Sequence, residues 1–362
     1  MSHTSLEFSA RPALEYPFER GWSPEPGQPF EIADGVYWLR VPMPIELDHI
    51  NLWILRDGDG WILVDSGYDA PQCRDVWEMV FDNFLKPNDV NKIIITHLHP
   101  DHTGLASWLA HRCDCAIQIS QGELDLYQRI FVEKNTNSSE TVGRYLLEIG
   151  FDEKSSDDVK RFFTAEEKPQ EMRIQRQACE IIADNDELLI NGRAWRVVVG
   201  NGHSPEHACL YCESLSLVIS GDQALPRISS NVSVYPETAN QNPLKDWLDS
   251  CAKLKREIPD NTLILPSHQE PFYGLHARMD QLIFDHHAQL NRIRDALGIS
   301  KTSMDMCSVL FPRELNGVQI IFAVGETLAH LNYLLEQQEI RKVFRDDGVA
   351  EYVAIEEQKM VV

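Results

Sequence analysis

The sequence predicts an α+β fold, a β-sandwich flanked by helices with a polar site at one edge. Two strand-rich stretches, residues 36–120 and 180–265, each place metal-ligand side chains directly after apolar strands. Two sheets that pack face to face bring such strand ends together at a common edge. From about Gly274 the pattern becomes helical and ends in a hairpin, which predicts a small additional domain.

The first half of the predicted sandwich alternates strands with helices. Residues 1–30, rich in proline and glutamate, predict an extended arm before a main domain, residues 31–274. Apolar, β-rich runs predict strands at 36–41, 50–55, 61–64, 93–96 and 116–120. Asp57-Gly58 predicts a hairpin turn between the second and third of these. Helices are predicted at 71–85, which opens with a proline, and at 105–112.

Residues 122–176 interrupt this pattern. They are charged, show no strong strand signal, and space apolar residues such as Leu124, Tyr127 and Phe131 as a helix does. We interpret them as an inserted helical cap. The alternative is a helical hairpin packed away from the site.

The second half repeats the strand pattern and leads into the C-terminal domain, residues 275–362. Strands are predicted at 180–183, 187–190, 195–199, 208–212, 216–220 and 262–265, with a helix at 243–257. Helices follow at 275–297, 303–310 and 325–338, then a hairpin over 340–354 that turns at Asp347-Gly348. Helices closed by a hairpin indicate a winged-helix-like module.

Composition restricts the classes of partner. The 362 residues hold 33 Lys and Arg against 56 Asp and Glu, a net charge of −23, which disfavours nucleic acids and anionic membranes. No apolar run approaches the roughly 18 residues of a membrane span, and residues 1–7 lack signal-peptide features. We therefore expect a cytoplasmic protein with no membrane partner, whose eight cysteines are free thiols.

Four potential metal ligands lie within six residues after the predicted strand 93–96: His97, His99, Asp101 and His102. A turn past a strand end can direct alternating side chains to one point. Imidazoles and a carboxylate suit zinc or another borderline divalent metal. The spacing lets one metal take the first two histidines and a second take Asp101 and His102. Metal-assisted hydrolysis is the chemistry that this run indicates.

Further candidates follow other predicted strands. Asp65 ends strand 61–64, and His203 lies in a glycine-rich turn after strand 195–199, with His207 close behind. Asp222 follows strand 216–220, and His268 follows strand 262–265. Each alone is a weak signal, because a single histidine after a strand is more often structural. Together with the first run they supply five histidines and two aspartates as ligands.

These segments, in this order, resemble the metallo-β-lactamase superfamily over about residues 30–275. The resemblance rests on VDSG around Asp65, HLHPDH at 97–102, GHSPEH at 202–207, SGD at 220–222 and PSH at 266–268. It implies a four-layer αβ/βα sandwich and two metal sites that share a bridging Asp222. One site would use His97, His99 and His203, and the other Asp101, His102 and His268.

The resemblance also implies roles. Two divalent ions, zinc first with iron or manganese as alternatives, would hold a bridging hydroxide as the nucleophile. His97, His99 and Asp101 would be catalytic, with Asp101 orienting the hydroxide and shuttling its proton. Asp65 would order the ligand loop from outside the coordination sphere. His207 would do the same or be purely structural.

Details of the motifs narrow the choice among branches of the superfamily. His99 replaces the glutamate of the similar flavodiiron branch, which favours hydrolysis. Asp222 is generally lacking in true β-lactamases of this superfamily, which disfavours antibiotic hydrolysis. Ser267-His268-Gln269 departs from the common Gly-His-Gly. The full ligand set is similar to that of glyoxalase II, lactonases, acyl-thioester hydrolases and phosphodiesterases.

The leading hypothesis is hydrolysis of a small ester-like substrate, an acyl thioester or a lactone. Arg227 and Asn231 are candidate substrate contacts. The alternatives are a phosphodiesterase or nuclease, a mononuclear iron persulfide dioxygenase, and a non-enzymatic binding module. The winged-helix-like tail resembles that of β-lactamase-like proteins that include an RNA nuclease. Because the chain is acidic, we expect that tail to serve packing and to be a candidate homodimer interface.

Overall fold

The computed structural model describes residues 14–133, 139–151, 173–315 and 317–355 of the 362-residue chain. Within these residues, two mixed β-sheets pack face to face and helices cover both outer faces. This arrangement confirms the α+β, four-layer αβ/βα fold expected from the sequence.

The first sheet has seven strands in sequential order. They are β1 (Phe30–Ala33), β2 (Val36–Pro42), β3 (His49–Asp57), β4 (Gly60–Val64), β5 (Val90–Ile94), β6 (Ala116–Ser120) and β7 (Cys179–Ile182). Neighbours are antiparallel from β1 to β4 and parallel from β4 to β7. The turn between β3 and β4 passes through Gly58 at φ +61°, as the Asp-Gly signal predicted.

The second sheet has five strands, in the order β12-β11-β10-β9-β8. They are β8 (Glu187–Ile190), β9 (Arg193–Gly200), β10 (His207–Cys212), β11 (Leu217–Gly221) and β12 (Leu263–Pro266). On β10, Cys209 and Cys212 enter different apolar cores on opposite faces of the sheet, because side chains three residues apart on a strand point in opposite directions. All eight cysteines are free.

An apolar core fills the space between the sheets. Trp38, Trp53 and Ile94 of the first sheet pack in one cluster with Trp195 and Leu210 of the second, and none is more than 2% exposed. Burying a large apolar side chain stabilises a fold by about 1.5–3 kcal/mol. This layer therefore holds the two halves of the chain together.

Helices α1 (Pro71–Asn83) and α3 (Ala106–Cys113) cover the outer face of the first sheet. Between them in sequence lies α2 (Pro100–Thr103), a single turn that the sequence analysis did not predict. The insertion begins with α4 (Gln121–Tyr127), a π-helical turn (Gln128–Val132) and α5 (Ser139–Glu148). Within the predicted insertion, residues 134–138 and 152–172 lie outside the described residues.

The outer face of the second sheet is covered by α6 (Pro243–Glu257) and α7 (Leu275–Ala296). The C-terminal domain continues with β13 (Lys301–Thr302), α8 (Ser303–Leu310), α9 (Gly317–Glu336), β14 (Ile340–Phe344) and β15 (Ala350–Ala354). The last two strands form the predicted hairpin, and β13 extends it to three strands. The winged-helix comparison stays a prediction. No helix among the described residues is long and apolar enough to cross a bilayer.

The predicted arm is described only from residue 14. Glu15 forms an isolated antiparallel bridge with Tyr273, and the ring of Trp22 packs against Trp38 with centroids 5.8 Å apart. These contacts attach the arm to the sandwich. Residues 1–13 lie outside the described part of the chain.

Two of the differences from the predicted boundaries have a clear physical reason. The last helix was expected over 325–338 but begins at Gly317, because Ile321 and Val324 are buried against α5 and packing outweighs their β-propensity. The strand expected at 93–96 ends at Ile94, because Thr96 turns its side chain to Asp65.

The strand ends that carry candidate ligands meet at one edge of the sandwich. β4 and β5 are parallel, so the segments after them leave the first sheet side by side. In the second sheet, β9 and β11 flank an antiparallel β10, and β12 is parallel to β11. The segments after β9, β11 and β12 therefore leave in one direction.

We expect Arg278→Met to lower the free energy of unfolding by about 2–5 kcal/mol. Arg278 is 6% exposed, and its guanidinium donates to the carbonyls of Leu225 (2.6 Å) and Ile228 (2.7 Å). The substitution would leave both carbonyls without this charged donor. Urea denaturation measures the change. Arg256→Met is the control, since that side chain is 67% exposed. A loss below about 1 kcal/mol would show that other contacts hold this loop.

Candidate metal centre

The HLHPDH run follows β5 and enters α2. His97 and His99 precede Pro100, the first residue of that helix, so Asp101 and His102 lie in its first turn. Proline suits this position because its fixed φ matches the helix start. An extended stretch and one helical turn together direct the four side chains to the sheet edge.

A first cluster consists of His97, His99, His203 and Asp222. His97 Nε2 lies 2.9 Å from His99 Nδ1 and 3.2 Å from His203 Nε2. His203 Nε2 lies 3.4 Å from Asp222 Oδ2. One ligand atom from each of the four lies within 4.8 Å of the others.

A second cluster consists of Asp101, His102 and His268. Asp101 Oδ2 lies 3.3 Å from His268 Nε2 and 3.6 Å from His102 Nε2. Asp222 Oδ1 lies 3.4 Å from His268 Nε2 and 3.6 Å from His102 Nε2. Because Asp222 turns its other oxygen to the first cluster, its carboxylate spans both. The structure thus brings together all seven predicted ligands.

Two histidines are oriented by backbone carbonyls. His203 Nδ1 donates to the carbonyl of Asn231 at 2.7 Å, and His268 Nδ1 donates to that of His49 at 2.9 Å. Each hydrogen bond leaves the Nε2 lone pair directed into its cluster.

Asp65 connects two strand ends to the ligand run. It has φ +63°, a left-handed conformation that aspartate tolerates. Its Oδ1 accepts the Thr96 backbone N–H at 2.8 Å, and its Oδ2 accepts the Thr96 hydroxyl at 2.9 Å and His102 Nδ1–H at 2.7 Å. Asp65 was predicted to order the ligand loop, and that role requires contacts of this kind.

His207 is fully buried and stacks on His97 with ring centroids 4.7 Å apart. Its Nε2 accepts the backbone N–H of Asp222 at 3.0 Å. On the other side, the carbonyl of Asp222 accepts the hydroxyl of Ser230. The backbone that carries the shared carboxylate is therefore fixed from both sides, and His207 Nε2 is already used.

Several inner atoms of the clusters lack partners. His102 Nε2, His268 Nε2 and Asp222 Oδ1 are buried without a hydrogen-bond partner among the described residues. A tetrahedral zinc ion with bonds of about 2.0–2.1 Å separates its ligand atoms by about 3.3 Å. The spacings of 3.3–3.6 Å in the second cluster match this value. Because buried, unpartnered lone pairs are costly, the residues present fit divalent metal ions.

The charges in the clusters follow from burial and from the neighbouring carboxylates. Burial alone lowers the pKa of His102, but the carboxylates of Asp65, Asp101 and Asp222 outweigh it and hold that pKa well above its usual value. Burial lowers the pKa of His99 to about 3. His99 is therefore a neutral ring at pH 7, the form in which imidazole binds a metal.

Glu123, at the start of α4, is a site residue that the sequence analysis missed. Its buried carboxylate accepts the N–H groups of Leu98 (2.9 Å) and Glu206 (2.8 Å) and so ties together the loops that carry His97 and His203. Burial raises its pKa to about 7, although its hydrogen bonds oppose the shift. No motif marks it, because a glutamate in a charged insertion is typical of a surface.

The two predicted substrate contacts already have protein partners. Arg227 forms an ion pair with Glu270 at 2.5 Å. Asn231 orients His203 through its carbonyl, and its Nδ2 donates to the Tyr235 hydroxyl at 2.7 Å. A role in substrate binding stays a prediction for both.

Two sheets between helices, with two His/Asp clusters at their common edge, define a metallo-hydrolase of the αβ/βα class. The chain belongs to the metallo-beta-lactamase superfamily, whose family model matches residues 45–268. A second model, the metallo-beta-lactamase-like C-terminal domain, matches residues 290–355.

Individual relatives agree with this assignment. A solved beta-lactamase domain protein from Burkholderia ambifaria is 36% identical, with a TM-score of 0.83 and coverage of 94% of this chain and 98% of that one. The probable metallo-hydrolase YqjP of Bacillus subtilis is 24% identical over 336 residues, 88% of this chain and 97% of its own. Thioesterase pkgB of Emericella nidulans is 34% identical over 90 residues, 22% of this chain and 25% of its own.

We expect Asp65→Asn to lower zinc affinity about 10- to 100-fold with the fold intact. Asparagine tolerates the left-handed backbone, but its amide NH₂ cannot accept the His102 and Thr96 hydrogen bonds. Competition with a chelator measures the affinity. Asp114→Asn is the matched control, at another left-handed position on the exposed surface. Unchanged affinity in Asp65→Asn would show that His102 is held without this carboxylate.

Proposed function

We propose that the protein hydrolyses a small ester-like substrate, an acyl thioester or a lactone, at a dinuclear metal centre. The observation that carries the proposal is the Asp222 carboxylate, whose two oxygens face separate ligand clusters. When bound, two divalent ions, zinc first with iron or manganese as alternatives, supply a hydroxide nucleophile and polarise the scissile carbonyl.

The proposed ligands of one ion are His97, His99 and His203, and those of the other are Asp101, His102 and His268, with Asp222 shared. Asp101 is the proposed proton carrier. Its side chain is 16% exposed, whereas His102 and His268 are at most 1% exposed. This exposure supports Asp101 as the group that orients the attacking water and accepts its proton.

Two observations support the substrate class. The net charge of −23 disfavours a polyanionic nucleic acid, which argues for a small molecule over an RNA. The local match to Thioesterase pkgB supports a thioester, although it spans only 90 residues. Substrate choice in this fold depends on loops and insertions rather than on the shared ligands.

The insertion 122–176 is the proposed cap. On α5, the Tyr145 hydroxyl donates to the carbonyl of Val234 at 3.0 Å, three residues after Asn231. On α4, Glu123 contacts both ligand loops. These contacts support an insertion that borders the centre.

Arg227 and Asn231 are the proposed substrate contacts. Both lie on the segment that follows Asp222, and Asn231 contacts His203 through its backbone. An anionic acyl carrier would compete with Glu270 for the Arg227 guanidinium.

Metal content and a substrate panel test the proposal together. We expect about two zinc ions at this centre and turnover of an acyl thioester or a lactone, with little turnover of a phosphodiester. One iron per chain with oxygen uptake in the presence of a persulfide would replace the proposal with a dioxygenase. Preferred turnover of the phosphodiester would replace it with a phosphodiesterase.

We expect His99→Ala and Asp222→Ala each to lower turnover by at least about 10²–10³-fold. Removal of a single hydrogen bond to a developing oxyanion already lowers kcat by about this factor. Circular dichroism checks that the fold survives. Asp249→Ala is the control, because that side chain is 70% exposed on α6. Full activity in both site variants would exclude the metal mechanism.

The C-terminal domain is the proposed homodimer interface. Ile299, Phe344 and Ile355 expose 70%, 59% and 46% of their surface there. We expect light scattering of the full chain to give a dimer, and Phe344→Asp to give a monomer. A monomeric wild type would exclude this interface.

A further inference from the structure

Away from the candidate metal centre, three ligand-type side chains meet where α7 packs against α9. Glu326 and His330 lie one turn apart on α9, and His286 reaches them from α7. One ligand atom from each lies within 4.8 Å of the other two. His286 is 4% exposed and His330 is fully buried. Side chains from facing helices form metal sites in helix bundles in this way.

The ring of His330 is oriented by its own helix. Its Nδ1 donates to the carbonyl of Glu326, one turn earlier, at 2.8 Å. The opposite nitrogen, Nε2, therefore carries a lone pair, and it lies 3.2 Å from His286 Nδ1. This separation is close to the roughly 3.3 Å between two ligand atoms of a tetrahedral zinc ion.

Among the described residues, no Lys or Arg shifts the pKa of the Glu326 carboxylate. Burial raises its pKa to about 7, and the one opposing influence is a hydrogen bond with Gln289. Arg292 lines the same space, but its guanidinium donates to the carbonyls of Val309 and Leu310. The Glu326 side chain is partly buried. A partly buried carboxylate without a counter-charge is unfavourable, and a bound cation would reduce that cost.

A cavity of about 330 Å³ adjoins two of the three side chains, those of His286 and Glu326. It is lined by His286 and Glu326 and also by Asp285 and Gln289. The Gln289 Oε1 atom is buried without a hydrogen-bond partner among the described residues. The cavity therefore has room for solvent next to the cluster, and Gln289, which also interacts with His286, brings an amide oxygen to its edge.

We propose that His286, Glu326 and His330 bind one divalent transition-metal ion, with water or Gln289 Oε1 in the remaining position. Two imidazole nitrogens and a carboxylate are a set that suits zinc and its first-row neighbours. This site is separate from the seven residues of the candidate hydrolytic centre.

The ion would fix two helices that hold the loop of the hydrolytic centre. α9 accepts the N–H of Val234 at the Gly325 carbonyl, 3.0 Å away. α7 holds the carbonyl of Ile228 through Arg278. Between these two points lies Asn231, whose carbonyl orients His203. The metal therefore has a structural role, as a link from α7 to α9 behind the loop.

Zinc content of the full chain tests the proposal. The protein is stripped with a chelator, reloaded with Zn²⁺, passed through gel filtration and assayed for zinc per chain. We expect the wild type to retain one zinc more than Glu326→Gln. Glutamine keeps the shape of the side chain and removes only its charge, so the stripped variant should unfold at the same temperature as the stripped wild type, or higher. His330→Gln is a second variant with the same expected loss.

His287→Gln is the matched control, an exposed neighbour of His286 on α7, and should retain the full complement of zinc. Equal zinc in the wild type and in either folded variant would overturn the proposal and leave a hydrogen-bonded network with a protonated Glu326. The readout is a difference between proteins that share the hydrolytic centre, so the number of ions at that centre does not affect it. Failure of the proposed hydrolysis would alter turnover and leave this difference unchanged.

Discussion

One constraint governs the structure. Each oriented histidine of the candidate metal centre has a hydrogen-bond partner at its outer ring nitrogen, and its inner ring nitrogen is left open. His102 and His268 show the pattern, since Nδ1 of each donates to the scaffold while Nε2 has no partner in the described structure. Such unbalanced groups are tolerated only where packing over-determines them. The two packed sheets, the short helix α2 and the buried Asp65 provide that packing at a single edge.

Much of this arrangement could be predicted because its signals are local. Apolar runs ended by Gly, Asp or His residues marked most strands, and all seven ligands follow such runs. The supporting contacts could not be predicted in the same way. The carbonyls of His49 and Asn231 carry no side-chain signature, and Glu123 is ordinary in sequence until the fold buries it. The start of α9 was missed because its β-branched residues become helical only through packing on α5.

The insertion and the C-terminal domain pack against each other as well as against the sandwich. Tyr145 and Leu146 of α5, and Ile149 directly after it, belong to the same apolar cluster as Ile321 and Val324 of α9. The segment 231–235 runs beside both and contacts each of them. A change in either element can therefore displace the loop that orients His203. In this way a peripheral domain can influence a candidate centre to which it supplies no proposed ligand.

The ligands are spread along the chain from His97 to His268, and neither cluster is complete within a short stretch of sequence. At synthesis rates of about 5–20 residues per second, the HLHPDH run leaves the ribosome roughly ten seconds or more before His268 does. During that interval it offers only an incomplete, flexible ligand set. A complete ligand set exists only once both sheets have packed, and the geometry of a complete set is what discriminates among divalent metals. An ion that needs all the proposed ligands of a cluster can therefore bind only after the chain has been made as far as His268 and the sheets have packed.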